Sequence, residues 1–220
     1  CLPNIPDAII SYYAINKTGA VVNAVHPLVT GQALYDLITG MDAGAAIVFE
    51  DFYPKYADYL KNTEIPIIVA SAADYLPALY KPFYKLAARK NTKNIPYGGR
   101  IVRFYDVVSG KIACKAPETP YPDIKGDDIA VYMHSGGTTG ASKTVMLSND
   151  AFNCLADNAL ALIGGKPVND KDGMLMVMPI FHNFGLGICM HTTICAGGKV
   201  VLMPKFEPKR ACRLLKSANA

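Results

Sequence analysis

Charge is scarce in this chain. Only 18% of its 220 residues are Asp, Glu, Lys or Arg, and the formal balance is +4. No segment interleaves a stripe of lysine and arginine with aromatics, so the pattern gives no support to a nucleic-acid binder. Cysteine is sparse and scattered, at positions 1, 114, 154, 189, 195 and 212, without a Cys-x-x-Cys pair. The histidines at 26, 134, 182 and 191 do not fall at zinc-finger spacing. A metal site and a structural disulfide are therefore not expected. Cysteines within apolar stretches act as small hydrophobes, and the compartment read from them is a reducing cytoplasm. No run of about twenty apolar residues occurs, so no membrane-spanning helix is predicted. Internal repeats, low-complexity tracts and a basic-then-apolar leader are also missing. The chain opens on Cys1-Leu2-Pro3-Asn4 and stops inside a helical pattern at Ala220. Both ends look cut, and the expectation is a piece of a longer protein.

What is present is a core-forming sequence, 51% hydrophobic. Apolar residues recur at helical spacing over 7–17, and 21–25 reads as a strand. Thr30 is placed to cap a helix over 31–41. Strand 45–49, helix 53–61 and strand 66–70 follow. Residues 73–90 predict one long helix or two short ones, since Pro77 and Pro82 interrupt them. The lysines and arginines around 81–93 form a modest basic face, read first as solvated and second as a membrane-surface contact. Prolines and acids over 116–128 mark a linker. Beyond it come strand 129–133, β-prone 144–147, a helix from Ser148 or Asn149 to about 163, strand 174–178, helix 184–195, strand 200–203 and a helix from Pro208. Alternating strands and helices predict an α/β fold, two lobes of mostly parallel sheet flanked by helices. The expected division is 1–122 and 123–220, the second lobe carrying the motif described next.

That motif is Ser135-Gly136-Gly137-Thr138-Thr139-Gly140-Ala141-Ser142-Lys143-Thr144, which packs three glycines, five hydroxyls and one lysine into ten residues. Glycines let a backbone turn its N–H groups toward one point, hydroxyls add donors, and lysine adds a mobile charge. The combination suits a nucleotide polyphosphate. One candidate is the Walker loop, Gly-x4-Gly-Lys-[Ser/Thr], which fails where Ser142 stands for the second glycine. The next apolar strand also ends in Pro179-Ile180-Phe181-His182, without the acid that would help hold magnesium.

The run also resembles the phosphate-binding signature of the acyl-adenylate-forming enzymes, [Ser/Thr]-[Ser/Gly]-Gly-[Ser/Thr]-Thr-Gly-x-Pro-Lys-Gly-Val. Ser135 through Gly140 match, Lys143 is in register and Val145 follows. Ser142 replaces the family's proline and Thr144 its later glycine. Lys17-Thr18-Gly19-Ala20 with His26-Pro27, the block Pro179-Ile180-Phe181-His182-Asn183-Phe184-Gly185-Leu186, and Gly197-Gly198-Lys199 through Phe206 resemble further family blocks in the same order. His182 after Phe181 is similar to the acyl- and aryl-CoA synthetase type rather than the amino-acid-activating type.

The resemblance implies an ATP-dependent acid–thiol ligase that activates a carboxylic acid, a fatty acid first, as acyl-adenylate and passes it to coenzyme A. It implies phosphate contacts from Ser135, Thr138 and Thr139, backbone shape from Gly136, Gly137 and Gly140, and charge from Lys143. It implies an acyl pocket bordered by Phe181, His182 and Gly185, with His182 near the reacting carboxylate. Magnesium is implied as a cofactor whose main ligand lies outside this chain, as do the ribose-binding block and the lid lysine. The fragment alone is therefore expected to be inactive. The partners implied are the acid, ATP and coenzyme A, and the location is cytoplasmic with a peripheral membrane contact as an option. A Walker-type NTPase and a non-catalytic nucleotide-binding module stay open.

Overall fold

A computed structural model describes residues 1–112, 121–135, 143–162, 164 and 168–218. In chain order the elements begin with α1 (Pro6–Lys17), β1 (Val22–Ala24), α2 (Gly31–Gly40), β2 (Ala46–Phe49), α3 (Tyr53–Leu60), β3 (Ile67–Ala70), α4 (Lys81–Thr92), β4 (Ile101–Arg103) and α5 (Phe104–Val108). They continue with β5 (Ile129–Ser135), β6 (Lys143–Ser148), α6 (Asn149–Leu162), β7 (Gly173–Met176), a π-helix (Phe184–Thr192), α7 (Thr193–Cys195), β8 (Lys199–Leu202) and α8 (Pro208–Ala218). The chain divides into two compact units, one of residues 1–2 with 25–118, the other of 3–24 with 119–220.

In the first unit β2, β3 and β4 form a parallel sheet in that order, with Ala46 opposite Ile67 and Ile67 opposite Ile101. Its strands are short apolar runs because helices cover them, and Val48, Ile67 and Val69 are buried with Leu34, Ile38, Tyr56 and Leu60 from α2 and α3. Thr30 caps α2, its Oγ1 accepting the Ala33 N–H at 3.1 Å. The stretch 73–90 resolves into turns followed by one helix, α4. Pro82 falls in its first turn, where a missing N–H costs nothing.

In the second unit β5 is central. It runs parallel to β1, with Val22 opposite Val131, and antiparallel to β6, with Ser135 opposite Lys143. Parallel β7 and β8 form a separate pair. Gly19 ends α1 with φ +78°, and a Cβ there would lie 2.8 Å from Pro122 Cγ. Buried Val131, Met133, Phe152, Met176, Ile180, Leu186 and Met203 make the core.

The segment expected as a helix over 184–195 is helical but wound as a π-helix through Thr192. Gly185 and Gly187 let it approach closely. A Cβ on Gly185 would stand 2.0 Å from the Pro179 carbonyl oxygen, and one on Gly187 2.5 Å from Leu155 Cδ2.

Candidate active site

The Ser/Gly/Thr run singled out in the sequence is flanked by two antiparallel strands. Ser135 closes β5 and Lys143 opens β6 as its cross-strand partner, so the ladder brackets 136–142 at both ends. Gly136, Gly137, Thr138, Thr139 and Gly140 lie outside the described residues. Lys143 is exposed. The antiparallel pair decides between the two sequence readings. A Walker loop runs from a strand directly into a helix whose N-terminus faces the phosphates. Here an antiparallel strand follows instead, and α6 begins only at Asn149. The Walker expectation is overturned on that geometry.

A histidine that sequence reasoning passed over joins the three strands of this sheet. His134, next to Ser135 on β5, has Nε2 2.6 Å from Asn23 Oδ1 on β1 and Nδ1 3.2 Å from Thr144 Oγ1 on β6. An amide oxygen can only accept, so Nε2 carries the proton and donates to it. Nδ1 is then the acceptor and the Thr144 hydroxyl donates. Burial holds the imidazole pKa below the ordinary histidine value, which favours this neutral form. Thr144, one of the two departures from the family pattern, thereby gains a physical reason. Its hydroxyl satisfies a ring nitrogen on the neighbouring strand β5, which a glycine could not do.

Of the acyl-pocket candidates, Phe181 and His182 lie on the turn between β7 and the π-helix, and Gly185 lies in the first turn of that helix. Asn4, buried just before α1, ties that turn down. Its Nδ2 donates to the carbonyls of Met176 and Met178, each at 3.0 Å, and its Oδ1 accepts the Ile180 N–H at 2.8 Å. The Tyr12 hydroxyl on α1 donates to the Ile180 carbonyl at 3.4 Å. Both polar groups of Ile180 are thus fixed, by Asn4 ahead of α1 and by Tyr12 on it, one residue ahead of Phe181-His182. His182 is exposed. Its own N–H donates to the Pro179 carbonyl at 3.0 Å, its carbonyl accepts the Leu186 N–H at 2.9 Å, and its Nδ1 faces the Phe184 N–H at 3.4 Å. Its Nε2 has no hydrogen-bond partner among the described residues. Phe181 is half-buried, and Gly185 is buried where the π-helix meets Pro179.

Among the described residues no group of three or more His, Cys, Asp or Glu could hold a metal ion. The donor set of the described residues does not fit a magnesium site. No helix of the described residues is long and apolar enough to cross a membrane.

The family profile described as AMP-binding enzyme matches residues 1–219. The chain belongs to the AMP-binding enzyme family. It is 30% identical over 218 residues to a long-chain-fatty-acid–CoA ligase of Bacillus subtilis (strain 168), covering 97% of this chain and 38% of that protein. It is 27% identical to 4-coumarate–CoA ligase 3 of Arabidopsis thaliana, covering 94% of this chain and 32% of that one. The fold matches a crystal structure of a long-chain-fatty-acid-CoA ligase, FadD1, from Archaeoglobus fulgidus. The TM-score is 0.72 at 17% identity, over all of this chain and 37% of that one. It also matches ATP-bound MatB from Rhodopseudomonas palustris, with a TM-score of 0.64 at 23% identity, over 96% of this chain and 35% of that one. The chain therefore spans less than two fifths of the length of these relatives. The α/β fold of parallel sheets flanked by helices is that of the AMP-binding family, as the sequence resemblance implied.

Proposed function

We propose that this AMP-binding chain is the phosphate-gripping portion of an ATP-dependent acid–thiol ligase. In that reaction a carboxylate oxygen attacks the α-phosphorus of ATP, the bond to pyrophosphate breaks, and an acyl-adenylate forms. The sulfur of coenzyme A then attacks the acyl carbon, and AMP leaves. The first step concentrates negative charge on phosphate oxygens, which donors and cations aimed at them stabilise. Ser135, Thr138 and Thr139 supply hydroxyl donors, and Gly136, Gly137 and Gly140 supply backbone shape. Lys143 supplies charge toward the β- and γ-phosphates. His182, with Phe181 and Gly185, borders the acyl group near the reacting carboxylate. The main ligand for Mg2+ is assigned outside this chain, and the 220 residues alone complete neither step. A fatty acid is the substrate proposed first, in line with the fatty-acid ligase among the relatives. The enzyme is placed in the cytoplasm.

The observation that supports this reading is the pairing of Ser135 with Lys143 across a hairpin, around a Ser/Gly/Thr run, in a chain of the AMP-binding family. The test is pyrophosphate exchange in the full-length enzyme. Lys143→Ala and Thr139→Val should each lower it by a factor of ten or more, about 1.4 kcal/mol of transition-state stabilisation. Unchanged exchange in both variants would sink the assignment.

A further inference from the structure

Helix α4 carries a face that its own unit leaves uncovered. Its inner side is marked by buried Ala88, with half-buried Tyr84 and Thr92 beside it. On the opposite side Phe83 and Leu86 are each 70% exposed, and Leu79 and Tyr80 in the turn before the helix are 72% and 58% exposed. Single exposed apolar residues are ordinary, but four large ones within eight positions form a patch. Lys90 lies two turns along the same face from Phe83, about 10 Å further down the axis. Arg89 and Lys93 flank it, and all three are exposed. Of the chain's 22 Lys and Arg, seven lie between Tyr75 and Tyr105, and all 18 Asp and Glu lie outside that stretch.

The sequence expectation of a merely solvated basic face accounts for the lysines. It gives no reason for leucine and phenylalanine standing in water beside them. An apolar cluster shouldered by bases, with no acid in the segment, is complementary to a surface that is apolar below and anionic above. We propose that this face docks on an anionic lipid surface. Leu79, Phe83 and Leu86 enter the interface, and Arg89, Lys90 and Lys93 meet the headgroup phosphates. The inference does not depend on the ligase reading, since none of these residues belongs to the proposed site.

The test is co-sedimentation of the full-length protein with vesicles, either phosphatidylcholine alone or phosphatidylcholine mixed with phosphatidylglycerol. Binding should favour the phosphatidylglycerol vesicles and weaken as salt rises. The triple variant Arg89→Gln/Lys90→Gln/Lys93→Gln should bind them on the order of a hundredfold more weakly. Leu79→Ser/Phe83→Ser/Leu86→Ser should lose binding by at least about tenfold. All six positions are exposed, so both variants should keep the wild-type circular dichroism and melting midpoint. Binding that ignores phosphatidylglycerol, or that survives both triple variants, overturns the proposal. So does concentration-dependent self-association abolished by the apolar variant without vesicle binding, because it identifies a second copy of the chain as the occupant.

Discussion

Replacing Thr144 by valine removes one hydroxyl and keeps the β-branched shape that suits a strand, so it isolates the hydrogen bond to His134. The bond is 3.2 Å long and Thr144 is exposed, so water partly replaces the lost donor. That places the cost at the lower end of the net value of a hydrogen bond, about 0.5–1 kcal/mol. His134→Ala costs more, because the 2.6 Å bond to Asn23 is lost with it, but that part cancels in a double-mutant cycle. Urea unfolding at pH 7.5, followed by far-UV circular dichroism, should give a coupling of about 0.5–1 kcal/mol between the two positions. The pH dependence has a definite sign. Burial holds the folded pKa of His134 below its ordinary value of 6.5. Between those two values the unfolded chain binds more protons at this group, so the His134 contribution to stability falls as pH drops below 6.5 and is flat above it. Burial lowers the pKa of His191 as well, with the same sign. The quantity to read is therefore wild type minus His134→Ala, which should shrink as pH falls below 6.5. Additivity within about 0.3 kcal/mol, or a difference that grows on acidification, would refute the tautomer and the bond together.

Two further outcomes follow from buried polar groups. Glu50 is buried at the end of β2, and desolvation, opposed in part by the Ser71 hydroxyl, raises its pKa above the ordinary 4.5. The folded state then holds its proton longer than the unfolded one. Stability drains away as pH rises from 4.5 through the folded pKa, and Glu50→Gln should be more stable than wild type at neutral pH, with the gain vanishing below pH 4.5 in urea titrations. Asn4→Ala removes the partner of the Met176 and Met178 carbonyls and of the Ile180 N–H. It should cost about 2–4 kcal/mol in urea, seen as a lower midpoint at unchanged slope.

The alternation of elements was legible because each carries a local signal. Thr30 sits where a helix cap must, and the apolar runs at 46–49 and 67–70 stop at polar Glu50 and Ser71. Pairing carries no such signal. Nothing periodic connects Val22 to Val131, yet those residues are strand partners, and α1 with β1 belongs to the unit built from the far half of the chain. The winding of 184–192 escaped for a related reason. An apolar glycine-rich segment reads as helix at any pitch, and what holds this one against Pro179 and Leu155 is contact rather than sequence spacing.

The candidate site divides along the same line. Ser135 and Lys143 are recognisable by residue type and spacing, since phosphate binding demands hydroxyls, glycines and a cation in one run. Their structural frame is not, because it is made by residues distant in sequence. His134 looked like an isolated histidine while Asn23 and Thr144 were 111 and 10 positions away. Asn4 looked like part of a ragged end while its partners were more than 170 positions off. Departure from the family pattern was the one local trace of such coupling. Thr144 stands where a glycine is usual, and a hydroxyl in place of a glycine pays off only if something nearby needs a donor. The neutral imidazole of His134 supplies that need. At such a motif, a substitution that adds a polar atom on a paired strand thus points to an unmatched partner elsewhere in the fold. His134, on the strand that leads into the loop, was the first place to look for it.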